Sequence, residues 1–379
     1  MKCKKCGSEI PDNSKFCTFC GNELKIQKFK EAISSHKLLM FFMILTITLI
    51  IFTIAKMVII HNANNNNNYY PYIELTNKSE EKINTINANS KARPYAVMID
   101  NNHSAWPQCG LSEAYLVYEI ITEGGLTQMM ALYKDVYPEK VGSVRSARHY
   151  FIDYAEENDA IFIHWGGSPQ AYSRINSGID DLDGIALEGS MFFRDKTLNR
   201  DYEHTGFVDL AKAKEYSDNK GYTRDTNKDL LLNYSATEID LSTNSQAKIA
   251  NSITLEYSNN HTTSYEYDKE NKVYKRTMSG ISNVDLETGK QYTVKNIIVY
   301  NVRNYTFDTA ESKGIQELDN IGNGTGYYIT NGYAVPITWE KTSHSSQTLY
   351  KYEDGTKISV NNGNTFIQIC PTDTEIEIR

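Results

Sequence analysis

At 379 residues the chain is long enough for two or three domains, and its composition is that of a globular protein rich in tyrosine (27) and poor in proline (8). The formal charge of −8 is unevenly spread: residues 1–60 carry nine lysines against Glu9, Asp12, Glu23 and Glu31, a net of +5, which leaves −13 for the remainder. That acidity argues against sequence-independent nucleic-acid binding by the larger part, which needs cationic surface to displace counterions. Four of the six cysteines fall in the first twenty residues, so the chain carries no disulfide framework.

The opening reads Cys3-Lys-Lys-Cys6-Gly7 and then Cys17-Thr-Phe-Cys20-Gly21. Each CxxC-Gly predicts a knuckle, with two thiolates gripping a metal and a glycine taking the positive φ of the tight turn. Two knuckles supply a closed set of four sulfurs for a structural Zn²⁺. About twenty residues cannot build a stabilising core, so metal binding supplies the folding energy of this zinc ribbon (1–24). A redox dithiol or a disulfide pair is the alternative reading of the same cysteines.

Residues 38–60 are apolar on every face apart from Lys56. At 1.5 Å per residue they span roughly 34 Å, enough for a hydrocarbon core of about 30 Å. Lys25, Lys28, Lys30 and Lys37 precede this segment, whereas the next basic residue after Lys56 is Lys78. The positive-inside rule therefore predicts a single-pass anchor in the cell membrane with the N-terminus in the cytoplasm, where thiolates stay reduced, and residues 61–379 outside. The asparagine run 64–68 opens a predicted flexible linker over 61–91.

Beyond it the pattern predicts an α+β architecture: a mixed α/β part over 92–237, then a β-rich part over 250–379, with a boundary in the polar stretch 225–250. YAVMID (95–100), AYLVYEIIT (114–122), MMALYKDV (129–136) and AIFIHW (160–165) are predicted strands. ARHYFIDYAEEND (147–159) is a predicted helix capped by Ser143 or Ser146. Ser168-Pro169 marks a second helix start. SITLEYS, TSYEYDK, KVYKRTM, QYTVKNIIVYNV, GYYITNGYAVPITWEK and TFIQICP alternate as strands, and Asp354-Gly355 is read as a hairpin turn.

RPYAVMIDN (93–101), QCGLSEAYLVYEIITEGGLT (108–127), GSVRSARHYF (142–151), HWGGSP (164–169), LDG (182–184), FFRD (192–195) and GNTFIQICP (363–371) follow one another in order. Together they resemble the YerB-like lipoproteins, a domain of unknown function (3048) described in N- and C-terminal parts, over about 92–379. The resemblance implies placement outside the membrane; it implies no activity, because none is established for the family. This chain departs in having a zinc ribbon and an apolar anchor where those proteins have a lipobox cysteine.

Candidate site residues cluster in the first part. The turn around His164, with Gly166, Gly167 and Ser168, offers backbone N–H groups and a helix start suited to an anion, or is an ordinary β–α connection capped by its own serine. Arg145 and Arg148 stand three apart near a helix start and could clamp a phosphate or carboxylate, or pair with acids such as Asp153 or Glu157. Arg194 and His204 lie in one polar loop with Asp195. Cys109 and Cys370 are left unpaired, and 179–184 is read as a solvated turn rather than a Ca²⁺ loop.

These observations suit a membrane-anchored binding or scaffold protein whose partner is an anionic envelope polymer or another protein. Two alternatives remain: a cell-wall hydrolase using Glu119 or Glu123 with His164 or His204, and a membrane adaptor acting through its ribbon.

Overall fold

The computed structural model describes residues 1–12, 14–24, 83–307 and 314–379. The predicted anchor (38–60) and most of the predicted linker lie outside the described residues. Among the described residues no helix is long and apolar enough to cross a membrane. The chain divides into two compact units, Met1–Lys78 and Ser79–Arg379.

In the second unit the strands run as nearly continuous apolar stretches. Tyr95–Asp100, Leu116–Ile121, Thr127–Tyr133 and Thr365–Pro371 are buried at every position. Strands of that kind need cover on both faces. They sit at the middle of an eleven-stranded mixed sheet in the order Lys248–Ile249, Tyr333–Lys341, Gly322–Thr330, Asn296–Val302, Thr365–Pro371, Leu116–Ile121, Thr127–Tyr133, Tyr95–Asp100, Ile161–His164, Asp181–Asp183, with Leu349–Lys351 paired to Tyr333–Lys341. One face carries Met98, Tyr118, Leu132, Phe162, Tyr300 and Ile369, packed with Tyr150, Phe151 and Tyr154 of the helix His149–Glu157. The other carries Val97, Ile99, Met129, Ile163, Val299 and Phe366, packed with Ile253, Leu255, Tyr265 and Tyr274 of a six-stranded antiparallel sheet.

The α/β part and the β-rich part read from the sequence therefore share one sheet. Their seam is the parallel pairing of Leu116–Ile121 and of Asn296–Val302 with the same strand, Thr365–Pro371. The polar stretch 225–250 contributes strands as well. Asn233–Ser235 pairs with Ser359–Asn361, and Lys248–Ile249 pairs with Tyr333 and Ala334. From Ile83 the stretch predicted as linker is packed structure: Ile86 is buried in the core, and the Thr85 hydroxyl donates to Asn362 at 3.0 Å.

Two local readings are corrected. The first helix begins at His149, not at 147, because Val144 and Ala147 are held in extended backbone by bridges to Ile99 and Gly167. Arg148 occupies the N-cap without a side-chain cap bond, and Ser146 and Ser143 instead donate to the carbonyls of Trp165 and His204. The long hairpin is Gly322–Thr330 with Tyr333–Lys341, turning at Asn331 and Gly332 with φ of 51° and 81°. Such a two-residue turn requires positive φ at both positions. Asp354-Gly355 does turn the chain, but only Lys351 and Lys357 pair across it.

Candidate functional site

Three parallel strands end side by side at Asp100, His164 and Asp183. In open α/β sheets ligands bind at such carboxyl ends, where the strands diverge. Here the segment 144–147 fills the gap between the first two: the Arg145 N–H donates to the Met98 carbonyl, and the Trp165 N–H donates to the Arg145 carbonyl. The insertion sets Arg145 directly beside Asp100.

Asp100 is the hub of this edge. It is 2% exposed and accepts from the Asn102 N–H at 2.9 Å and from His204 Nδ1 at 2.8 Å. Arg145 Nε lies 3.4 Å from the same carboxylate, and Arg145 Nη1 reaches Glu203 at 3.0 Å. His204 is buried, and its Nε2 makes no hydrogen bond among the described residues, with Glu203 3.7 Å away. The loop expected to hold Arg194 and His204 thus delivers both to the edge, although Asp195 turns away to Lys140 at 2.9 Å.

Arg194 stacks between two aromatic rings, 4.2 Å from the centroid of Trp165 and 3.8 Å from that of Tyr202. Its Nη1 also donates to the Tyr202 carbonyl at 2.6 Å, and Glu188 lies 3.2 Å from its Nε. Trp165 is wedged between two glycines. A Cβ on Gly184 would come within 2.5 Å of the indole, and one on Gly206 within 2.7 Å. Gly184→Ala should therefore cost about 1–3 kcal/mol by overpacking and displace the ring. Urea denaturation followed by near-ultraviolet circular dichroism checks both effects, and an unchanged tryptophan signature would refute the wedge.

The other nominated groups are satisfied within the protein. His164 Nδ1 donates to the Gly166 carbonyl at 2.8 Å and its Nε2 lies 3.1 Å from Asp181, and Asp183 takes the Gly166 N–H at 2.8 Å. Ser168 caps the Ala171 N–H at 3.1 Å, as the sequence led us to expect. Gly167 packs its Cα side against Ala147 and Ala171. The helix that follows, Pro169–Ile175, has only seven residues. Asp183 already occupies the Gly166 N–H, and the Ser168 N–H goes to the Ala147 carbonyl. Arg148 is likewise engaged, bidentate on Glu123 at 2.6 and 2.9 Å, and so does not share a face with Arg145. The acids of 179–184 are used in the same manner: Asp180 holds Arg93, Asp181 holds His164, and Asp183 caps Ile185.

One charged cluster escaped the sequence reading. Glu119 accepts from Arg276 at 2.8 Å and from Thr263 and Thr127 at 2.9 and 2.8 Å, with His261 at 3.2 Å, and all of these groups are buried. Burial alone would raise the Glu119 carboxyl, but Arg276 and His261 more than offset it and hold it below the usual carboxylate range. The available signal was Arg276 itself: it takes an inward position in the alternating strand Val273–Met278, between buried Tyr274 and Met278. Cys109 and Cys370 are both free and buried, and burial pushes the Cys109 thiol up to about 12.

In the N-terminal unit the Gly7 and Gly21 N–H groups return to the Cys3 and Cys17 carbonyls at 2.8 and 2.9 Å, with φ of 79° and 68°. All four sulfurs lie within 4.8 Å of one another, with Cys3–Cys20 at 3.8 Å and Cys6–Cys17 at 3.6 Å. Tetrahedral coordination at about 2.3 Å places sulfurs about 3.8 Å apart, so this donor set fits one metal ion. The Ser8 hydroxyl and backbone pull the Cys6 thiol down to about 6, toward the thiolate that a metal binds. Ile10 and Leu24 pack over the cluster.

The N-terminal domain of Protein of unknown function (DUF3048) matches residues 79–223, its C-terminal domain matches 253–367, and a zinc-ribbon domain matches 2–24. A Bacillus subtilis (strain 168) protein named "Putative lipoprotein YerB" is 30% identical over 304 residues, 78% of this chain and 84% of that one. The chain belongs to the DUF3048 family. A crystal structure of the YerB protein from Bacillus subtilis superposes with a TM-score of 0.65 at 29% identity, covering 76% of this chain and 94% of that chain. The two DUF3048 parts meet inside one sheet: the first brings Leu116–Ile121, and the second brings Asn296–Val302 and the opening residues of Thr365–Pro371. The carboxyl edge, from Asp100 to His204, lies wholly within the first.

Proposed function

We propose that this DUF3048 chain is a single-pass membrane protein whose 79–379 unit stands outside the cell and binds an envelope component at the carboxyl edge, while a cytoplasmic ribbon holds a structural Zn²⁺. The lipoprotein name of the Bacillus relative supports the placement, as does the charge asymmetry about residues 38–60. The observation that carries the binding reading is the edge itself. Arg145, Glu203 and Tyr202 present partly exposed polar and aromatic groups there, fixed from below by buried Asp100 and His204. Cys3, Cys6, Cys17 and Cys20 would hold the metal; its role is to fold the ribbon, since four thiolates leave no open position.

Envelope material captured by the full-length chain should fall about tenfold in Arg145→Ala/Glu203→Ala, an amount typical of losing two central interface contacts. Capture equal to wild type would remove the edge as the site.

A second reading, hydrolysis of a wall component, rests on one observation. Asp100 at Nδ1 fixes the tautomer of His204 so that Nε2 can accept a proton from an attacking water. Turnover of wall fragments abolished by His204→Ala and strongly reduced by Asp100→Asn would establish it. Capture without turnover by a folded chain would leave binding alone.

A further inference from the structure

Tyr202 is 67% exposed, and its ring is packed on one face only. The Arg194 guanidinium covers one face, Arg194 and Thr205 both donate to its carbonyl, and Trp165 beneath is clamped between Gly184 and Gly206. An exposed aromatic ring ordinarily keeps its rotamer freedom and must lose it on binding. Here the stack of Trp165, Arg194 and Tyr202 favours one ring position, which lowers that cost, and leaves the other ring face to solvent. Ile185, also 67% exposed, sits beside Gly166 and extends the apolar surface from the Trp165 end.

Around the stack lie groups that bond in the plane of a ligand. Glu203 and Glu188 are acceptors with exposed side chains, and Arg145 is a donor with a quarter of its side chain exposed. Asp100, Glu188 and Glu203 are matched by Arg145, Arg194 and Arg200, so the patch has no excess of positive charge to select an anion. A ligand matched to it has a polarised C–H face for the ring and neutral hydroxyl or amide groups around its rim. That is the chemistry of a pyranose.

We propose that Tyr202 is the stacking platform of a saccharide-binding site, with Arg145, Glu203 and Glu188 bonding the sugar's hydroxyl and amide groups. This rests on the reading of the carboxyl edge as the binding site and names its ligand class.

The test uses the full-length chain in detergent and a neutral β-1,4-linked tetramer of N-acetylglucosamine, followed by tryptophan emission. Wild type should respond saturably, with little change as salt is raised, because no counterions are released. Tyr202→Ala should weaken binding about tenfold, and Tyr202→Trp should keep it within about threefold, since either ring offers the face. No saturable response, or equal binding by Tyr202→Ala, overturns the saccharide assignment. Capture of insoluble wall material by the same proteins separates the two readings. Capture lost in Arg145→Ala/Glu203→Ala but not competed by the tetramer keeps the edge and makes its ligand a protein or a polyanion. Capture unaffected by both variants removes the edge and the saccharide together.

Discussion

Replacing Arg276 by methionine should cost the 79–379 unit about 3–5 kcal/mol, because it strands a carboxylate between two sheets. Glu119 lies on the central sheet and Arg276 on the sheet packed against it, both inaccessible to water. Two of the remaining partners of Glu119, Thr127 and Thr263, are neutral hydroxyls that do not balance its charge. The pH dependence should change sign with the substitution. In wild type the carboxyl is held low, so its contribution is complete above the unfolded value of about 4.3 and is lost as pH falls toward the folded value. Without Arg276 burial raises the same group, and stability should instead fall as pH rises through about 4.3. Urea midpoints between about pH 2 and 7 read both effects. Glu119→Gln/Arg276→Met should recover about half of the loss, since it removes the stranded charge and keeps the shape. A single substitution costing under about 1 kcal/mol would mean that the pair is not what joins the sheets.

Cys17→Ser/Cys20→Ser should release the metal and unfold residues 1–24 while leaving the 79–379 unit untouched. A structural zinc contributes about 10–16 kcal/mol to a domain of this size, far more than Ile10 and Leu24 can replace. Zinc measured on the purified chain should drop from one ion to none. Acidification should have the same effect on wild type, because protons compete with metal for the thiolates. The urea midpoint of the larger unit reports independence: a midpoint that moves with zinc content would show the two units to be coupled. Retention of zinc by the double serine variant would refute the four-sulfur site.

Much of this was legible in the sequence, and the part that was not has one physical cause. Period and capping are local, so Tyr95–Asp100, Ser252–Ser258 and the Ser168-Pro169 helix start emerged at or near their true bounds. The four cysteines were equally plain, because both knuckles are written within four or five residues. Partnership across the chain was not. Arg148 was read for an anion or for a local acid such as Asp153 or Glu157 and meets Glu123; Glu119 was offered, beside Glu123, only in the hydrolase alternative and meets Arg276, 157 residues away. The start of the helix at His149 failed for the same reason, since pairing with Ile99 and Gly167 overrides the helical pattern of 147–148. Arg194 and His204 did reach the edge, but Tyr202, an exposed tyrosine in a chain full of them, carried no signal until its neighbours were known.

The strand Thr365–Pro371 lies parallel to both Leu116–Ile121 and Asn296–Val302, and it alone joins the two halves of the central sheet. Until it docks, each half offers the other an open, apolar edge of the kind that pairs indiscriminately. Completing the sheet therefore requires a long-range pairing, and a chain lacking that strand should expose two open edges and aggregate. Selection on those seven residues acts through the yield of soluble protein, so substitutions there should appear as losses of abundance long before they touch any ligand.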